Sequence, residues 1–217
     1  MPVARTTRIT RLDQMAVLAS PVRQELLDVL ARMGTVSLAE IAAVLGRAPD
    51  GLYYHVRLLH RAGLVESAGA RRRGGRPEAL FRARGAQFAL RYSSRSAAQA
   101  RAVGAIVAGM LRLGIRDFRR AFADPGNRLE GPGRDLWALR TTGWLLPQQV
   151  RAVNRRIHGL SEATSRVERK GRLYAITVLL TPLARRGARV DGNRRVGRRA
   201  HQESRTGSRL RSGEPTT

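Results

Sequence analysis

The sequence predicts a mainly α-helical protein with small β elements, and three observations carry that reading. Three short segments with helical apolar spacing and helix-start residues follow one another before residue 64. A glycine- and arginine-rich stretch then separates two short strand-like runs, and a long apolar-periodic segment begins at residue 86.

Residues 1–12 are expected to form a flexible basic arm, and residues 13–85 a compact domain. In "SPVRQELLDVLARMG", Ser20 caps a helix with Pro21 at its first position and with Val22, Leu26, Leu27, Leu30 and Met33 on one face. Gly34 ends it. In "SLAEIAAVLG", Ser37 and Glu40 stand at capping-box spacing before an apolar stripe of Leu38, Ile41, Ala42 and Leu45, and Gly46 closes that helix.

Pro49 opens the next helix after a short turn. Leu52, Val56 and Leu59 of "DGLYYHVRLLHRAG" form its inward stripe, leaving Tyr53, Tyr54, His55, Arg57, His60 and Arg61 on the other sides. Two short strands, roughly 64–68 and 79–83, are expected to flank a loop holding Arg71, Arg72, Arg73 and Arg76. Three helices followed by a hairpin are the parts of a winged helix-turn-helix domain.

Residues 86–124 read as a long helical linker that is too apolar to stand alone in water. Val103, Ile106, Met110, Leu113 and Phe118 are its expected dimerisation residues. Residues 127–184 are expected to form a small α+β domain, with strand candidates "LWALRTTGWLL" and "GRLYAITVLLTPL" on either side of a helix opened by Pro147. Residues 185–217 have almost no apolar periodicity and read as a disordered basic tail.

The charge narrows the function classes. Forty-one basic residues against 16 acidic ones give the 217-residue chain a formal net charge of +25, which favours a polyanionic partner. The excess is spread along the chain, so a body without residues 185–217 remains basic. The absence of cysteine excludes disulfides and thiolate metal sites, and four scattered histidines argue against a conventional zinc centre.

No catalytic constellation, metal site or cofactor site is expected. Ser20 and Ser37 are taken by caps, and His158 has no sequence-defined base or metal beside it. "RRGGRPE" lacks the surroundings of a dinucleotide or phosphate loop. With no apolar leader and no stretch approaching eighteen apolar residues, a cytoplasmic protein without membrane contact is expected.

The helix opened by Pro49 is the candidate for insertion into the major groove of double-stranded DNA. Pro49 and the free amides of the first turn favour a phosphate, Gly51 permits close backbone approach, and Tyr53, Tyr54 and Arg57 supply contacts to phosphates or base edges. Asp50 suits a cap or an acceptor for cytosine. Each tyrosine could instead pack inward, and His55 reads as a structural hydrogen-bonding residue. The arginines at 71, 72, 73 and 76 suit a narrow minor groove or nearby phosphates.

Over residues 14–84 the chain resembles the ArsR-like winged-helix transcriptional regulators, through "SPVRQELLDVL", "SLAEIAAVLG", "YYHVRLLHRAGLV" and the hairpin ending in "ALFRA". The resemblance implies a homodimer that binds an operator and responds to an unidentified small-molecule or protein effector. Tyr53 stands where many members carry a small hydroxyl residue, and the missing cysteines exclude their thiol-based sensing. A nonspecific architectural DNA-binding protein and a winged-helix protein-interaction module are the alternative expectations.

Overall fold

A computed structural model describes residues 6–91, 96–164 and 171–183. The chain divides into two units, residues 1–179 and 180–217, and the elements below belong to the first. The architecture is mainly α-helical with small β elements: an N-terminal helix-turn-helix region, a long helix and a smaller C-terminal region.

The expected flexible arm is ordered in part. Thr6–Ile9 forms strand β1, which pairs in parallel with β5 (Gln87–Leu90), and Ile9 is fully buried. The β-branched threonines and the isoleucine suit a strand, and burying Ile9 against the helices anchors it. Helix α1 (Leu12–Leu18) follows directly and buries Met15 and Leu18.

Helix α2 (Pro21–Met33) has Ser20 at its N-cap position with extended dihedrals, although the Ser20 side chain makes no capping hydrogen bond. Its buried face is Leu26, Leu27, Val29 and Leu30 together with the polar Gln24. A two-residue strand, β2 (Val36–Ser37), leads into α3 (Leu38–Leu45). The capping box forms as expected: the Glu40 carboxylate accepts from the Ser37 amide at 2.8 Å, and Ser37 Oγ accepts from the Glu40 amide at 3.3 Å. Gly46 ends α3 in the left-handed region, with φ of 61°.

Helix α4 (Pro49–Arg61) buries Leu52, Val56 and Leu59, the expected inward stripe. Strands β3 (Val65–Arg73) and β4 (Arg76–Ala83) then run much further than the expected short strands, leaving only Gly74 and Gly75 as the turn. Both glycines have positive φ, the geometry of a tight two-residue hairpin that follows the strand twist. β2 adds to β4, giving an antiparallel three-stranded sheet in the order β2-β4-β3.

The segment expected to be helical from residue 86 first supplies β5. The long helix α5 covers Ala97–Phe122, with Ser96 Oγ accepting from the Gln99 amide at its start. It packs along α1 and α2 of its own chain, burying Ile106, with Val103 and Met110 packed against the same core. Three of the five expected dimerisation residues therefore pack within the subunit, Ile106 buried and Val103 and Met110 half-buried. Leu113 is half-buried, and Phe118 is exposed and stacked on Phe122 with ring centroids 6.3 Å apart.

In the C-terminal region, α6 (Pro147–Ala163) forms where expected. The two strand candidates beside it, over residues 136–146 and 172–183, run without turn, bend or ladder pairing among the described residues. The expected tail at 185–217 lies outside the described residues.

Candidate nucleic-acid interface

The interface is built on α4, whose inward stripe fixes what faces out. With Leu52, Val56 and Leu59 buried against α2, α3 and β3, the opposite side must turn to solvent. Pro49, Asp50, Gly51, Tyr53, Tyr54 and Arg57 are all exposed. The two tyrosines, for which packing was an open alternative, are 53% and 64% exposed. An exposed pair of rings this large on a short helix is a surface suited to contact.

Local interactions hold these side chains near one another. The Arg57 guanidinium lies 5.9 Å from the Tyr53 ring centroid, and the Tyr54 and His55 rings meet edge-on at 5.5 Å. His55 is half-buried, with Nδ1 shielded from solvent. Burial, with Arg23 and Arg47 nearby, holds its pKa below the usual histidine value, favouring the neutral ring. Nδ1 has no hydrogen-bond partner, so the hydrogen-bonding role expected for His55 is not seen; the ring instead packs edge-on against Tyr54.

The hairpin carries the second cluster of positive charge. Arg72, Arg73 and Arg76 are exposed around the Gly74-Gly75 turn. Arg71 differs. It faces Glu78 directly across the β3–β4 ladder, and its guanidinium contacts Glu78 at 2.9 Å and Glu40 at 3.0 Å. Its Nη2 also donates to Ser37 Oγ at 3.4 Å. Arg71 thus ties the hairpin to the cap of α3.

The carboxylates respond in the expected direction. Glu40 is held below its ordinary pKa first by the Ser37 amide and then by Arg71, while Glu78 is lowered first by the Ser37 hydroxyl and then by Arg71. Both remain charged at neutral pH. The wing base is therefore a closed polar cluster, and the unengaged arginines lie further out.

A second cluster braces the turn into α4. Glu25 of α2 receives Arg47, from the turn between α3 and α4, at 2.9 Å, and Arg116 of α5 at 2.5 Å. Arg120 of α5 also approaches Gly46, where an added Cβ would lie 3.7 Å from its Nη2. The long helix is consequently in contact with the segment that sets the start of α4. Arg47 was not among the expected site residues, because nothing in its local sequence indicates its partner across α2.

Among the described residues, no group of three or more histidine, aspartate or glutamate side chains could hold a metal ion. Residues 18–68 match the family model of the helix-turn-helix domain, a span from the end of α1 through α4 into β3. With the hairpin that follows, the chain carries a winged helix-turn-helix domain. No curated protein matches the sequence significantly.

Proposed function

We propose that this protein is a homodimeric transcriptional regulator of the ArsR-like kind that binds double-stranded DNA at specific sequences. The observation that carries the reading is the exposed side of α4, where Tyr53, Tyr54 and Arg57 project beside a hairpin tipped by Arg72, Arg73 and Arg76. A helix of this width fits the major groove, and the wing arginines suit the adjacent minor groove or its phosphates.

In this reading the α4 N-terminus receives a phosphate, with Gly51 permitting close approach, while Asp50, whose side chain does not cap α4, accepts from a cytosine amine. Arg71 holds the wing in position and the three arginines beyond it meet DNA. Two subunits related by a two-fold axis present their α4 helices about 34 Å apart, one helical turn, so the operator is roughly palindromic. An unidentified small molecule or protein acts as effector, and the protein works in the cytoplasm away from membranes.

The test is a footprint of the full chain on genomic fragments with excess competitor DNA, repeated at several salt concentrations. A localised footprint is expected, with affinity falling by about 10³ to 10⁵ between 50 and 200 mM salt if a dimer makes about 6 to 10 phosphate contacts. Protection that spreads evenly over all fragments would identify a nonspecific architectural protein. Absence of DNA binding would favour a winged-helix module that docks another protein.

A further inference from the structure

Two stretches in the C-terminal region of the first unit share an unusual property. Residues 136–146, "LWALRTTGWLL", and 172–179, "RLYAITVL", have strand-forming composition, yet neither belongs to a sheet. Among the described residues, no backbone amide or carbonyl of 136–145 or 172–179 has a hydrogen-bond partner. Both edges of both stretches are open, and an open apolar edge is a template for another strand.

Their side chains are equally uncovered. Trp137 and Trp144 are 68% and 90% exposed, and Leu139 is 78% exposed. Few contacts tie them down: Tyr174 donates a hydrogen bond to the Asp135 carboxylate, Arg172 lies 3.7 Å from Asp124 and 3.9 Å from Asp135, the Arg134 guanidinium lies 4.3 Å from the Trp137 ring centroid, and Thr177 lies beside Gly114 of α5. Taking about 200 Å² per aromatic ring and about 100 Å² per aliphatic side chain, the exposed apolar groups of the two stretches amount to on the order of 800 Å². That is the area each partner contributes to an interface of standard size, about 800 Å².

The charge pattern selects the occupant. In a chain of net charge +25, these stretches contain two arginines, Arg140 and Arg172, and no lysine, aspartate or glutamate. Arg172 faces the two aspartates already named. A nucleic acid, an anionic lipid surface or an acidic protein would be met by arginine-rich segments. A second copy of so basic a protein approaches best where apolar side chains dominate, as on these stretches with two arginines among 19 residues, since like charges across an interface oppose association.

We propose that residues 136–146 and 172–179 are the self-association surface of this protein, adding as strands to the same stretches of a second copy. A two-fold axis makes such a surface self-complementary, so each copy closes the open edges of the other. The proposal deepens the homodimer part of the function proposed above and rests on it. It also shifts the main joint away from α5, whose Val103, Ile106 and Met110 already serve the subunit's own core.

Two measurements on the full chain without DNA test this surface. Sedimentation equilibrium of the native protein is expected to give a dimer, and Trp144→Arg or Ile176→Arg is expected to weaken it by about 30-fold or more. Both side chains are exposed in the single chain, so circular dichroism and binding to a single half-site duplex should be unchanged. Hydrogen exchange of the native protein provides a readout that needs no variant: amides of 136–145 and 172–179 are expected to become protected as concentration rises through the dimer range.

A native chain that stays monomeric at micromolar concentration overturns the proposal, as does a dimer in which those amides exchange without protection. A monomer that floats with anionic vesicles would reassign the surface to lipid and overturn it equally. DNA binding by a monomer would leave the recognition reading standing while the self-association surface fails. A protected dimer that ignores DNA would do the reverse.

Discussion

Gly109 of α5 lies against the side chain of Gln24 in α2 so closely that a Cβ at residue 109 would fall 2.6 Å from Gln24 Nε2. That nitrogen donates to the Leu18 carbonyl at 2.6 Å and to the Ile106 carbonyl at 3.0 Å, so a buried amide joins α1, α2 and α5 at one point. Gly109→Ala gains about 1 kcal/mol of helix propensity. It also displaces a buried, hydrogen-bonded group, at a cost of about 1–3 kcal/mol. The expected net effect is a loss of about 1 kcal/mol, read from the denaturant midpoint. Combining it with Gln24→Ala should relieve the clash, so the two losses should add to more than the double variant shows.

Arg57 and Tyr54 stand on the free side of α4, where substitution touches little of the fold. Arg57→Ala and Tyr54→Ala are each expected to shift unfolding stability by less than about 0.5 kcal/mol. If the side chains read base edges, each should cost about 1–3 kcal/mol of specific affinity while leaving nonspecific affinity much less changed. Titrations against the footprinted site and against a scrambled duplex separate the two quantities. Equal losses on both duplexes would move these residues from base reading to phosphate contact.

Much of the helix-turn-helix was legible because its determinants are local. Ser37 and Glu40 announce a cap, Gly46 an end, and Leu52, Val56 and Leu59 an inward stripe, and each occurs where these residues place it. The hairpin was legible in kind but not in extent. Reading Gly74-Gly75 as a two-residue turn pairs Arg73 with Arg76 and hence Arg71 with Glu78, which the ladder shows. Treating the whole arginine run as loop concealed that ion pair.

What the sequence left open elsewhere depends on tertiary choices. Thr6, Thr7 and Ile9 have a strand pattern, but its partner lies some eighty residues away in β5. On α5, apolar periodicity says that a face is buried without saying by what. Val103, Ile106 and Met110 meet the subunit's own α1 and α2 region. For the site, the outward tyrosines follow from the inward stripe, whereas the bridge from Glu25 to Arg47 and Arg116 joins three separate elements.

The wing arginines divide into two groups with different expected phenotypes. Arg72→Ala, Arg73→Ala and Arg76→Ala together remove exposed charge from the turn and should leave stability nearly unchanged. If all three meet phosphates, the slope of log affinity against log salt should become shallower by about 2.7 per subunit. Arg71→Ala instead releases Glu40 and Glu78 at the wing base. Its expected mark is faster amide exchange in β3 and β4 at constant salt slope, and a slope change as large as one tip arginine gives would show that Arg71 also reaches DNA.

Glu25 gives the helix contact an acid sensitivity of known sign. Its burial would raise the carboxyl pKa, but hydrogen bonds and charge from Arg116 and Arg47 outweigh that and leave it below the ordinary value of 4.5. A carboxyl with a depressed folded-state pKa contributes stability above its unfolded pKa and loses it as pH falls through the folded value. Wild-type protein should therefore lose more stability than Glu25→Gln on passing from about pH 5 to about pH 3, because the variant has no proton to take up there. Urea unfolding of both proteins across that range measures the difference. Since Arg47 leads into α4 and Arg116 lies on α5, the same acidification should weaken the hold of the long helix on the α3–α4 turn. Parallel curves for the two proteins would show that the Glu25 ion pairs contribute nothing to the fold.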